Sequence, residues 1–273
     1  MNFLRSITTN QPVLFVFSAT ITWFVLLMVF TGIASSALHK PYGEATTGTI
    51  GRLAVTACSL WLIWRLDWLQ ASGVARLGSG LVWLLALGGL IYFACASLYA
   101  FYGKVAFDFS SLIRLPAART TILTQFVVGL NEEILFRGLV LYALARVWEH
   151  TRIGLAGSVL LSALLFAGLH ITHVFTHGTS SASALVLTLE TFIVSTWWGA
   201  LVLLGGSIWP AVVLHFVVNT VVALQGLATP MIEPDTLAYR RLLGFSLLLG
   251  LLGISLLLQA GMDRLLLGVS QKK

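Results

Sequence analysis

Residues 120–145 read TTILTQFVVGLNEEILFRGLVLYALA. The stretch is long and apolar enough to cross a hydrocarbon core about 30 Å thick as one helix. Its middle nevertheless carries Asn131, Glu132, Glu133 and Arg137. An ionisable side chain at the bilayer centre costs about 2.5 to 3.5 kcal/mol even on the lenient insertion scale, so such residues are functional candidates by default. Helix geometry sorts them. Glu133 and Arg137 stand at i and i+4 with the acid nearer the N-terminus, the favourable order for an ion pair, while Glu132 projects about 100° away. One carboxylate is paired and the other is free.

Outward from this stretch the chain repeats the pattern. Similar apolar blocks run from Val13 to Ala34, Ile50 to Trp64, Gly80 to Tyr102, Ile153 to His170, Ala184 to Leu204, Ser207 to Leu224 and Leu242 to Ala260. Breakers and charges separate them, as at His39 to Gly43, Arg65 to Gly78 and Arg146 to Arg152. Composition agrees: 58% of the 273 residues are hydrophobic, 10% are charged and mean hydropathy is +0.94. Soluble proteins carry about 25% charged residues, so a soluble globular protein is excluded. A transmembrane barrel is excluded too, because its strands run to about ten residues with alternating polarity. The expected fold is all-α, a polytopic transmembrane helical bundle of about eight spans with an intramembrane polar cavity. Residues 1–273 form a single membrane domain, expected in the cell membrane as a multi-pass protein.

Eight spans place both termini on one side. That side collects Arg5, Arg65, Arg76, Arg146, Arg152, Arg264, Lys272 and Lys273, and the other collects Lys40, Arg52, Lys104, Arg114, Arg119, Arg240 and Arg241. The positive-inside rule thus leans by one charge toward cytoplasmic termini. The first block is longer than a signal-peptide core and reads as a retained span, although Ser35, Ser36 and Ala37 resemble a weak cleavage site. Trp61, Trp64, Trp68, Trp197, Trp198 and Trp209 fall near block ends, as an interfacial aromatic belt requires. The 16 Lys and Arg are dispersed, so no basic patch marks a nucleic-acid partner. Cys58 and Cys95 lie inside apolar blocks without CxxC spacing, which argues against a disulfide framework or thiolate metal site.

Two more blocks carry misplaced polar residues. One ends Phe166, Ala167, Gly168, Leu169, His170, and another contains His215 and Asn219 at i and i+4, on one helix face. Three helices thereby bring Glu132, His170, His215 and Asn219 around one cavity. Peptide hydrolysis needs a base for water, an acid for the leaving amine and donors for the oxyanion. Glu132 suits the base and acid, His170 the orientation of water, and His215 with Asn219 the oxyanion.

These residues form three ordered motifs: EExxxR at Glu132, Glu133 and Arg137, FxxxH at Phe166 and His170, and HxxxN at His215 and Asn219. Together they resemble the CPBP membrane proteins, a family of CAAX-type prenyl endopeptidases and bacteriocin-processing or immunity proteins. The resemblance covers residues 120–224. It implies an intramembrane endopeptidase acting on a membrane-anchored peptide or protein substrate, with Glu132 and His170 activating water and His215 and Asn219 holding the oxyanion. The Glu133–Arg137 pair is then structural. The family has been described both as glutamate-type and as metalloproteases. A zinc ion would take Glu132, His170 and His215, but the helical HExxH signature is absent, and Asn219 beside His215 suits an oxyanion donor, so no cofactor is favoured.

Other readings compete. A satisfied polar network, a non-catalytic scaffold or immunity protein, and a proton-coupled transporter all place polar residues in membranes. A scaffold has no need of the whole motif set, and no repeated halves point to a transporter. His173 and His177 continue the series after His170 but read as an exposed loop with Gly178 and a run of serines. The site is expected to open toward this loop. Glu190, near Thr188 and Thr191, reads as a partner-satisfied or water-facing group.

Overall fold

The computed structural model describes residues 2–38, 44–100, 114, 117–172, 181–228 and 236–260, without the side chains of 2, 44, 93, 96–100, 183, 225–228 and 236–240. The described residues are mostly helical, with no strand among them. A short α1 (Asn2–Asn10) leads into α2 (Pro12–Ala37), α3 (Glu44–Arg65) and α4 (Gly80–Ala100). Next come α5 (Ala118–Glu133), a π-helical stretch (Ile134–Leu141) and α6 (Tyr142–Trp148), which run on as one rod. The rest is α7 (Arg152–Leu169) with a 3-10 turn at His170–Thr172, α8 (Ser181–Gly205), α9 (Trp209–Ala228) and α10 (Thr236–Gln259).

Among the described residues four segments are long and apolar enough to cross a membrane: Pro12–Ala37, Arg152–Thr172, Ala184–Gly205 and Arg241–Gln259. Gly80–Tyr92 and Trp209–Leu224 are shorter apolar helices. The remaining two apolar blocks are helical as well, but Arg52 in one and Glu132, Glu133 and Arg137 in the other break the run of hydropathy. Around the bundle, Leu14, Ile21, Met28, Leu84, Leu164 and Leu251 are exposed. Apolar side chains outside and polar ones inside invert the soluble pattern, as a lipid solvent demands.

The rod formed by α5, the π stretch and α6 is central. It packs on α3 and α9 along α5, and on α2, α3 and α7 along the π stretch. Helix α8 covers α7 and α10. The Thr151 hydroxyl caps α7 by accepting from Gly154 N at 2.9 Å.

Helix ends near residues 12, 65–80, 148–152, 205–209 and 259 gather at one end of the bundle, where several contacts lock them. Trp68 packs edge-on to Tyr142 at 5.1 Å and to Phe15 at 6.4 Å, beneath the Arg146 guanidinium. Ile208 N donates to Gly73 O at 3.3 Å, Trp209 Nε1 to Val74 O at 3.0 Å, and the Ser207 hydroxyl to Arg76 O. Arg152 Nη1 donates to Leu258 O at 2.9 Å.

The belt expectation divides here. Trp61 and Trp64 are exposed, as an interfacial ring requires, but Trp68, Trp197 and Trp198 are buried and belong to the core. Their position in sequence was right for a belt, but the turn after α3 folds inward and residues 195–202 of α8 are buried on every side. Lys40, Lys104, Arg264, Lys272, Lys273 and the side chain of Arg240 lie outside the described residues.

Gly73 carries the strain of this lock. Its φ is +82°, and a Cβ there would stand 2.7 Å from Ser207 Cα and 2.9 Å from Gly206 O. Gly73→Ala is expected to destabilise the protein by about 1 to 3 kcal/mol or more, read as a lower thermal unfolding midpoint in detergent. An unchanged midpoint would show that the two turns are not locked together.

Candidate active site

The polar residues of three helices meet around the first turn of the π stretch. Wide i→i+5 turns inside α-helices occur often at functional sites. Here the turn starts immediately after Glu132 and Glu133. Ser162 of α7 steadies it, its hydroxyl donating to Phe136 O at 2.9 Å. On the far side Asn131 Nδ2 donates to Thr56 Oγ1 at 2.8 Å and Arg52 O at 3.1 Å, pinning α5 to α3.

Glu133 is wholly buried and Arg137 is 1% exposed, with Arg137 Nη1 3.0 Å from Glu133 Oε1. Arg137 Nη2 also donates to Ser195 Oγ of α8 at 2.7 Å. The guanidinium lies over the rings of Phe166, 4.9 Å away, and Trp198, 5.7 Å away. A buried cation is tolerated only when paired and hydrogen-bonded, and the aromatic faces add attraction.

The same Glu133 oxygen has a second partner that spacing did not reveal. His215 Nδ1 stands 2.8 Å from Glu133 Oε1. A carboxylate held ionised by Arg137 only accepts, so Nδ1 carries the proton and donates. This fixes the ring with Nε2 facing the other glutamate, 3.6 Å from Glu132 Oε2. That separation is too long for a direct hydrogen bond. His215 is therefore gripped at one nitrogen by Glu133 and presented at the other to Glu132. Trp198 stacks on its ring at 4.9 Å and Phe166 meets it at 5.8 Å.

His215 reaches the rod because α9 approaches α5 closely at Gly129. A Cβ on Gly129 would stand 3.2 Å from Phe216 N and 3.6 Å from His215 Cβ. Sequence reading passed over this glycine, although a glycine in the interior of a helix is itself a signal of close backbone approach.

Glu132 is 18% exposed by its side chain, unlike Glu133, so it is the carboxylate that solvent can reach. His170 begins the 3-10 turn after α7, its Nδ1 3.2 Å from Phe166 O and its ring edge-on to Phe166 at 5.0 Å. Asn219 sits one turn after His215 on α9, half-buried. Glu132, Glu133, Arg137 and His215 thus make one connected cluster, with His170 reached through Phe166 and Asn219 one helical turn away. His173 and His177 lie outside the described residues, and Glu190 is half-buried on α8.

A catalytic zinc needs three protein ligands, each about 2.0 to 2.2 Å from the ion for nitrogen or oxygen donors. Among the described residues no three His, Cys, Asp or Glu side chains are gathered in that way. Of the candidate ligands, Glu132 and His215 face each other at 3.6 Å.

The fold and this buried carboxylate–imidazole cluster define a helical membrane protein with the parts of a hydrolase. Residues 114–221 match the family model described as Type II CAAX prenyl endopeptidase Rce1-like, the CPBP family that the three motifs resemble. The matched segment contains all seven motif residues, so the likeness falls on the helices that carry the polar cluster. No curated protein and no solved structure matches the chain.

The shared Glu133 oxygen predicts a coupled response. Glu133→Ala and Arg137→Ala are each expected to cost about 3 to 5 kcal/mol, because each leaves one buried group uncompensated. The double variant should lose less than the sum and still be inactive, since His215 has lost its acceptor. Thermal unfolding of the four proteins measures this, and strictly additive losses would contradict it.

Proposed function

We propose that the protein is an intramembrane endopeptidase that hydrolyses a peptide bond of a membrane-anchored substrate at the Glu132 cluster. The observation that carries this reading is His215, held at Nδ1 by Glu133 and turned by Nε2 toward the one solvent-reachable carboxylate of the set. The bundle crosses the cell membrane about eight times. The gathering of alternate helix ends at one end supports this, because α2 through α10, with the rod as one span, then alternate in direction.

In the reaction, Glu132 takes a proton from water while the water oxygen bonds to the scissile carbonyl carbon. His170, at the rim, orients that water. The carbonyl oxygen becomes an oxyanion and accepts from His215 Nε2–H and the Asn219 amide. This role requires a proton on both ring nitrogens of His215, Nδ1 facing Glu133 and Nε2 facing the oxyanion. Glu132 returns its proton to the leaving nitrogen as the C–N bond breaks, giving a carboxylic acid and an amine. Each step uses side chains of this chain, and none is routed through a metal ion.

Glu132→Ala is expected to stay folded and lose cleavage of a membrane-anchored peptide in reconstituted vesicles, and His170→Ala should do the same. His215→Ala and Asn219→Ala should lower kcat by about two to three orders of magnitude, the usual worth of an oxyanion donor. A Glu132→Ala protein that still cleaved at the wild-type rate would sink the mechanism. A scaffold or immunity role would show instead as a cellular function that Glu132→Ala leaves intact.

A further inference from the structure

Five arginines stand at the locked end of the bundle: Arg5, Arg65, Arg76, Arg146 and Arg152. Among the described residues of that end only two acids accompany them, Asp67 and Glu149. Asp67 is taken by Arg5, whose Nη2 donates to Oδ2 at 2.8 Å. Glu149 is half-buried, with Oε2 shielded and without a hydrogen-bond partner. The other four arginines rest on neutral groups. The Arg65 guanidinium lies 5.9 Å from the Trp64 ring centre, and that of Arg146 lies 5.1 Å from Trp68. Arg152 Nη1 donates to the Leu258 carbonyl at 2.9 Å. Arg76 covers the turn between α8 and α9, its Nη1 3.5 Å from the Cβ position of Gly206. None of the four has an ion pair among the described residues.

The same end carries the three most exposed large apolar side chains of the described residues, Ile153 at 80%, Phe3 at 73% and Leu77 at 72%. Each stands within two residues of an arginine: Ile153 follows Arg152, Leu77 follows Arg76, and Phe3 precedes Arg5 on α1. An apolar side chain held out beside a cation suits the boundary between headgroups and acyl chains, where the one enters hydrocarbon and the other stays at the surface. Water would satisfy the arginines but not the apolar side chains. An acidic lipid leaflet satisfies both, because its headgroups pair with guanidinium and its acyl chains cover what is apolar.

We propose that this end of the bundle is a docking surface for the anionic headgroups of acidic phospholipid, and that Arg76 is the contact through which bound lipid tightens the lock between residues 65–80 and 205–209. Arg76 engages that lock twice. Its carbonyl accepts from the Ser207 hydroxyl, and its guanidinium lies against Gly206. A phosphate held by the guanidinium in a two-point fork fixes this side chain, and with it the turn from which α9 starts. Each basic residue at such a leaflet is worth about a five-fold change in lipid affinity. The surface takes no part in hydrolysis and does not depend on the peptidase reading.

The test uses the full chain in nanodiscs of phosphatidylcholine alone and of phosphatidylcholine mixed with phosphatidylglycerol. It reads the thermal unfolding midpoint, and the lipid retained in native mass spectrometry. The wild-type midpoint is expected to be about 2 to 4 °C higher in the mixed discs, with phosphatidylglycerol retained. Arg76→Gln should match wild type in phosphatidylcholine and lose most of the gain, while Arg76→Lys should keep most of it. Arg119→Gln, at the opposite end of the rod, should keep all of it. Should Arg76→Gln fold poorly, Arg65→Gln carries the comparison, since its side chain is exposed, and its affinity for phosphatidylglycerol should fall about five-fold. Equal wild-type midpoints in the two discs, or a gain that survives in Arg76→Gln, would overturn the assignment. So would a gain lost as fully in Arg119→Gln, which would make it an effect of net charge. A gain produced equally by inorganic phosphate in phosphatidylcholine discs would overturn it too, because the site would then take a free anion and not a lipid.

Discussion

One oxygen atom organises this protein. Glu133 Oε1 faces both Arg137 Nη1 and His215 Nδ1, and neither of these nitrogens has another partner among the described residues. Taking a carboxylate and a guanidinium out of water is expensive, and their mutual attraction offsets that cost only with close geometry and further hydrogen bonds. The π stretch, the Ser195 hydroxyl and the rings of Phe166 and Trp198 supply that environment. The rod, α7, α8 and α9 are thereby tied at one point deep in an apolar bundle.

The site follows from that tie. With Nδ1 committed to Glu133, His215 has a single orientation, and its Nε2 faces Glu132 across 3.6 Å. The two adjacent glutamates divide the work by burial. The wholly buried one holds the histidine, and the partly exposed one meets water. The structure widens the part that sequence reading gave to Glu133: it pairs with Arg137 and also holds His215 by Nδ1.

Much of this was legible in the chain. Charges interrupting an apolar run are conspicuous, so Glu132, Glu133, Arg137, His170, His215 and Asn219 stood out, and the all-helical fold followed from block length. What could not be read was direction. Glu132 and Glu133 diverge by about 100° on an α-helix, which assigns one to the histidines and the other to the arginine. His215 in fact meets both, one at each ring nitrogen, because Gly129 lets α9 come close beside the start of a π turn. Neither a π turn nor a helix approach leaves a periodic signature. Arg52 was misplaced for a similar reason: it lies near the start of its apolar block, whereas α3 begins at Glu44, two turns earlier. Trp68, Trp197 and Trp198 were assigned to the interface on position alone, and burial reassigned them to the core.

The claim that Glu133 sets the state of His215 is tested most directly by nitrogen-15 NMR of the imidazole in protein reconstituted in lipid. Comparison with His215→Gln picks its signals out of the 6 histidines. The account predicts a protonated, strongly hydrogen-bonded Nδ1 that persists through titration and is lost in Glu133→Ala. A His215 with Nδ1 unprotonated and the proton resident only on Nε2 would contradict it.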